Sequence, residues 1–320
     1  MSQRLAYRDI NRIAASGITV FPQKAEGDAP YTNSEATLKA AIKMPVSFTF
    51  GQKMPVILGP GTGVTGTQTF AGNFMKQLMN STTMDPIILD IPDNLLNDVQ
   101  LNADWPSARP VVSDFVPVSP DLKGSTVADF GGILVDGLLT VTPIPQSISQ
   151  QKSGSNFIKT LNANGGDSAY VPTTAIFSNA DEIVMPQIDN AKGSGFFLDA
   201  RNVGVSNTMV QTACPGQAAG GMFTHEGMLY NPVAFALAMD AMANPGPGQM
   251  SRIDTTTVCA QSMAPGLNAA DKQATDGTIA IAAANILTYT LTPGKAQVGE
   301  PAIKAYAAND APKGAKVIPA

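Results

Sequence analysis

The chain holds a single histidine, His225, in the stretch "GGMFTHEGMLY". Imidazole is the side chain whose ordinary titration falls near neutral pH, so a histidine can carry a proton in catalysis. It does so when an acid orients it, a nucleophile waits to be deprotonated and donors face the oxyanion that forms. The acid candidate is Asp181 in "SNADEIV", a polar turn that follows an apolar run. The donor candidate is the Gly-rich turn "GPGTG" over 59–63, whose backbone amides could cradle a phosphate or an oxyanion. It lacks the lysine of a P-loop, and Gly61-Thr62-Gly63 runs into Val64-Thr65-Gly66 out of step with the dinucleotide fingerprint. Cofactor binding is therefore not expected. Cys214 and Cys259 stand far apart and match no metal-ligand spacing; with one histidine in the chain, no zinc site is expected. The two read either as buried thiols or as one disulfide.

These residues need a frame. Apolar runs at Met54–Leu58 and over 85–92, 113–121, 169–177 and 207–215 read as strands, the first of them buried on both faces. Helical spacing appears in "SEATLKAAIKM", "QTFAGNFMKQLMN", "NPVAFALAMDAMANPGPG" and "TIAIAAANILTYTL", with a helix start in "DNLLNDVQLNADW". Strand and helix alternate, which predicts an α/β fold with a mostly parallel sheet and flanking helices. Working residues in such sheets gather beyond the carboxyl ends of the strands, where "GPGTG" and Asp181 fall.

Composition narrows the function. The chain has 320 residues, 14% charged, with a net charge of −5, and carries no basic run, which argues against nucleic acid and against a polybasic membrane contact. No apolar window reaches the length of a membrane span. The N-terminal "MSQRLAYRDINRIAASG" lacks the apolar core of a signal peptide, which taken alone points to the cytoplasm. Asn80-Ser81-Thr82 permits glycosylation.

Several long strings carry a resemblance: "PVILGPGTGVTGTQTFAGNF", "IPDNLLNDVQLNAD", "VSPDLKG", "VPTTAIFSNADEIVMPQ" and "THEGMLY". Together they are similar to the fungal lipases related to Candida antarctica lipase B, from about Thr37 to near Tyr306. The resemblance implies an α/β-hydrolase fold, a Ser-Asp-His mechanism on acyl esters such as triglycerides, no cofactor and secretion. By its motifs, Asp181 matches the triad acid, His225 the base, and Thr62 the oxyanion-hole residue. Asp121 in "SPDLKG" matches an acid near the acyl pocket, and Cys214 with Cys259 one of the family's disulfides. On this reading residues 37–306 form one hydrolase domain, after a leader over 1–36 and before an irregular tail over 307–320. The protein is expected to be a monomer with a possible lipid-interface contact.

One departure is serious. The family's nucleophile lies on a strand, tight turn and helix placed between "LNAD" and "SDFVPVSPD". Here the text runs "LNADWPSARPVVSDF", too short for the roughly 25–30 residues that such a unit takes. No G-x-S-x-G occurs anywhere. The expectation is a chain truncated near 104–106, without the central nucleophile strand and impaired or inactive in ester hydrolysis. Its two neighbouring strands must then re-pair or leave the domain destabilised. Two alternatives stand: a non-catalytic acyl- or lipid-binding module, and a weak esterase using Ser119 or Ser125. Pro120 weakens the Ser119 alternative by removing an amide where an oxyanion donor is needed.

Overall fold

The computed structural model describes residues 31–102, 112–126 and 143–318, together with the backbone pairing of Tyr7–Arg8. The join over 104–106 lies outside the described residues, as does most of the leader.

Strands β1 (Tyr7–Arg8), β2 (Ile42–Pro45), β3 (Met54–Leu58) and β4 (Met84–Leu89) form one sheet in the order β1-β2-β4-β3. β3 and β4 are parallel, in register from Met54↔Met84 to Leu58↔Ile88, and the other two pairings are antiparallel. A second parallel pair joins β5 (Thr173–Phe177) to β6 (Val205–Met209). Chain segment 115–118 lies on the other side of β5, through isolated parallel bridges at Phe115↔Thr173 and Val118↔Ile176. A short pair, β7 (Ile303–Lys304) with β8 (Val317–Ile318), closes the chain.

The helices in chain order are α1 (Glu35–Ala41), α2 (Gly66–Phe70), α3 (Phe74–Leu78), α4 (Val99–Asn102), α5 (Gln146–Gln150), α6 (Asn156–Asn162), α7 (Val210–Ala213), α8 (Pro232–Ala243), α9 (Thr255–Ala260), α10 (Ala269–Asp276) and α11 (Thr278–Leu291). α2 starts on a capping box, with Thr65 and Gln68 satisfying each other's backbone N–H. Gly66 is required there, because a Cβ would clash with the Ile88 side chain and the Leu89 carbonyl. α8 starts on Asn231, whose side chain accepts from Val233 and Ala234, with Pro232 in the first turn. It joins two cores. Val233, Ala234 and Leu237 pack with Ile176, Val210 and Met228, while Ala238 packs with Leu58, Phe74, Leu78 and Ile88.

Three expectations are corrected. The fifth strand ends at Met209, and Val210–Ala213 turn into helix. The "DNLLNDVQLNADW" stretch does not begin as an α-helix: Pro92–Leu95 form a tight 3-10 turn in which Asp93, Asn94 and Leu95 are left-handed, and α-helix appears at Val99–Asn102. β3 is not buried on both faces. Leu58 is buried, but Ile57 is 56% exposed and Met54 40%. The cause is topological: β4 pairs one edge of β3, and no described residue hydrogen-bonds the other. Nor does any backbone hydrogen bond join β3 to residues 112–119, so these neighbours have not re-paired.

Candidate active site

Asp181 reaches the site from the turn that ends β5, with its N–H donating to the Ser178 carbonyl. Its side chain is fully buried. One carboxylate oxygen accepts from the Ile183 and Val184 amides at 2.9 and 2.8 Å. The other accepts from His225 Nδ1 at 2.9 Å. With both oxygens occupied, the carboxylate cannot turn, and it sets the tautomer of the ring.

His225 caps the short helix Glu226–Tyr230 and is held by its backbone as well as its ring. Its N–H donates to Glu182 Oε2 at 3.1 Å, and its carbonyl accepts from Ser119 Oγ at 3.2 Å. The side chain is 27% exposed, and Nε2 has no hydrogen-bond partner among the described residues. Burial disfavours the imidazolium, but the charge and hydrogen bond of Asp181, with Glu226 and Glu182 behind them, outweigh it and raise the pKa to about 9. Burial pushes the Glu226 carboxyl up.

Asp121 lies within electrostatic reach of His225 and Asp181. Its Oδ1 accepts from Ser194 Oγ at 3.0 Å, while Oδ2 is buried without a partner. Burial raises its pKa to about 6, against the opposing bond from Ser194 and the charge of His225. Thr62 sits in the loop after β3, with Oγ1 accepting from Gln151 Nε2 at 2.9 Å. No hydrogen bond joins Thr62 to Asp181 or His225.

The two serines weighed as substitutes are otherwise engaged. The Ser119 hydroxyl donates to the His225 carbonyl rather than to the ring. The Ser125 hydroxyl donates to the Ile183 carbonyl and accepts from the Met185 amide, bracing the loop that carries Asp181. Cys214 and Cys259 form a disulfide spanning 45 residues, which ties α9 to the chain just after α7. No group of His, Cys, Asp and Glu among the described residues could hold a metal ion.

No family model matches the chain. It is 27% identical to lipase B of Pseudozyma antarctica over 319 residues, covering 88% of this chain and 86% of that protein. The crystal structure of Aspergillus fumigatus lipase B superposes with a TM-score of 0.80 at 40% identity, over 90% of this chain and 75% of that one. The chain belongs to the lipase B family of fungal lipases. Its fold is of the α/β-hydrolase type, and lipase B relatives make it a lipase-family hydrolase by descent.

Gln151, Glu182, Ser194 and Asn285 were not singled out in the sequence, yet each bonds the site or its loops in this lipase B family member. Glu182 adjoins Asp181, which was a usable signal. The other three lie at least 73 residues from their partners, and nothing in local pattern announces such a contact.

Proposed function

We propose that this lipase-family chain keeps the acyl-ester site of its relatives but hydrolyses esters feebly or not at all. In this reading Asp181 orients His225, His225 is the proton acceptor, and Thr62 offers its amide and hydroxyl to the acyl oxygen. Asp121 lines the acyl pocket. Ester hydrolysis by this route needs a serine hydroxyl on His225 Nε2 and a second oxyanion donor from the residue after it. The observation that carries the reading is the Ser119 hydroxyl, which is directed to the backbone carbonyl of His225 and leaves Nε2 without a donor among the described residues. The shortness of 103–111 supports it, since no strand, elbow and helix fit there.

The remaining site would bind an acyl group without turning it over. Secretion belongs to this reading and is supported by the disulfide, which persists in oxidising compartments. So does contact with a lipid surface, supported by the exposed apolar residues Ile281, Leu287 and Leu291 along α11. We take residues 37–306 as one hydrolase domain acting as a monomer. Among the described residues no helix is long and apolar enough to cross a membrane.

A second reading has one observation in its favour. Ser119 follows a strand-like segment with φ 50, the strained backbone that lifts a nucleophile out of a sheet, and it sits beside the His225 backbone. Pro120 then deprives it of the next amide.

A fluorophosphonate probe and p-nitrophenyl butyrate separate the two. The main reading expects no labelled serine and no hydrolysis above a heat-denatured control. A labelled Ser119 with turnover abolished by Ser119→Ala would establish the second, and turnover from any other labelled serine would remove both.

A further inference from the structure

Three groups outside the acid–base pair converge on the loop that carries Thr62. Gly63 N–H donates to the Asn94 carbonyl at 2.8 Å. Asn285 Nδ2 donates to the carbonyl of the same Gly63 at 2.8 Å. Gln151 holds the Thr62 hydroxyl. Gly63 is left-handed at φ 91, and a Cβ there would lie 3.1 Å from the Ala282 Cβ, so α11 packs directly on this loop.

The Asn94 acceptor is itself unusual. Asp93, Asn94 and Leu95 have φ of 55, 52 and 60, three successive non-glycine residues in the left-handed region. Each costs about 1–2 kcal/mol. Such backbone persists only where its surroundings over-determine it, and it gathers at functional sites. The surroundings here are Lys295, just beyond α11, which pairs with Asp93 at 2.8 Å, and Leu96, buried against Ile286 and Tyr289 of α11. One helix and its exit therefore hold both the Gly63 loop and the turn that accepts from it.

With Gly63 N–H committed to Asn94, the neighbouring Thr62 N–H, like that of Gly61, has no hydrogen-bond partner among the described residues. Asn285 is the one amide side chain in the otherwise apolar and hydroxyl-bearing "TIAIAAANILTYTL". Asparagine is a poor residue for a helix interior, so its place there is explained by the contact it makes and not by propensity.

We propose that Asn285 is a positioning residue for an acyl-oxygen site at Thr62. By holding the Gly63 carbonyl while the 93–95 turn holds the Gly63 N–H, it pins both ends of this residue and fixes where the preceding Thr62 amide points. The proposal rests on the role given to Thr62 under the proposed function.

The test uses the full chain labelled with 15N, as wild type, Asn285→Ala and the isosteric Asn285→Asp, which keeps the shape and loses the donor. Amide hydrogen exchange and chemical-shift titration with octanoate are read at Thr62, Gly63 and β5. Both variants should speed exchange at Gly63, whose N–H is bonded to the Asn94 carbonyl, by about tenfold and leave β5 unchanged. The octanoate shift at the Thr62 amide should shrink, while that at His225 is retained. If Asn285→Ala does not fold, Asn285→Asp carries the comparison. Unchanged exchange at Gly63 in the folded variant overturns the positioning role. Faster exchange, with a wild-type Thr62 amide that ignores saturating octanoate, overturns the Thr62 reading and this proposal with it.

Discussion

At the scale of single residues, the proposed chemistry is concentrated in His225. Its Nδ1 faces the buried Asp181, and Glu182, Glu226 and Asp121 add negative charge around it. A pKa of about 9 keeps the ring protonated at neutral pH, where a working general base needs to be free. An NMR titration of the ring should therefore show a midpoint near 9, and Asp181→Asn should bring it down, since burial alone pulls it below the ordinary 6.5. The sign for stability follows. A proton bound more tightly in the folded chain stabilises it fully below pH 6.5, and that contribution is lost as pH rises through about 9. The urea midpoint should fall across this window, and less so in His225→Gln. An equal fall in the two proteins would show that His225 is not its source.

Among the elements, the most informative differences from sequence expectation have local causes. The 113–121 stretch reads as a strand by its apolar residues, yet it pairs with β5 only through two bridges. Pro117 is the reason: its missing N–H is the donor that would have continued the ladder between Phe115 and Val118. The left-handed turn at Asp93–Leu95 was hard to read because Asp93 and Asn94 suit a helix start as well as a turn, and the Gly63 loop and Lys295 decide between them. By contrast the spacing in "QTFAGNFMKQLMN" announced helix, which the chain forms as two short pieces, α2 and α3; Thr65 and Gln68 cap the first, and Gly66 meets a need set by β4. Gly66→Ala should cost about 1–3 kcal/mol in urea unfolding, because backbone and a packed isoleucine must move to admit a methyl group. A loss below about 0.5 kcal/mol would mean that α2 is free to shift away from β4.

For the whole molecule, the question is what separates the two halves of the sheet. β3 offers an edge on which Pro55 and Ile57 face outward, since Met54 N–H already donates toward β4 and bonding alternates along a parallel strand. On the other side, 115–118 gives its bonds to β5. Side chains bridge what the backbone does not: Val116 and Val118 pack on the cluster of Leu58, Phe74 and Ile88. An exposed apolar edge invites association with other chains. Ile57→Lys should leave the unfolding free energy within about 0.5 kcal/mol, as an exposed substitution does, and should lower light scattering of concentrated protein. A large loss of stability would place Ile57 in a packed interior instead.

Taken alone, the order of residues was enough for the α/β-hydrolase class, the family and the pairing of Asp181 with His225 as a hypothesis. These depend on strings and spacing that survive without coordinates. The pairing geometry, the commitment of the Ser119 hydroxyl to a carbonyl, the exposed face of β3 and the bonds that hold Gly63 came only with the tertiary structure. Each depends on contacts between residues dozens to hundreds of positions apart, and local periodicity carries no record of which distant groups will meet.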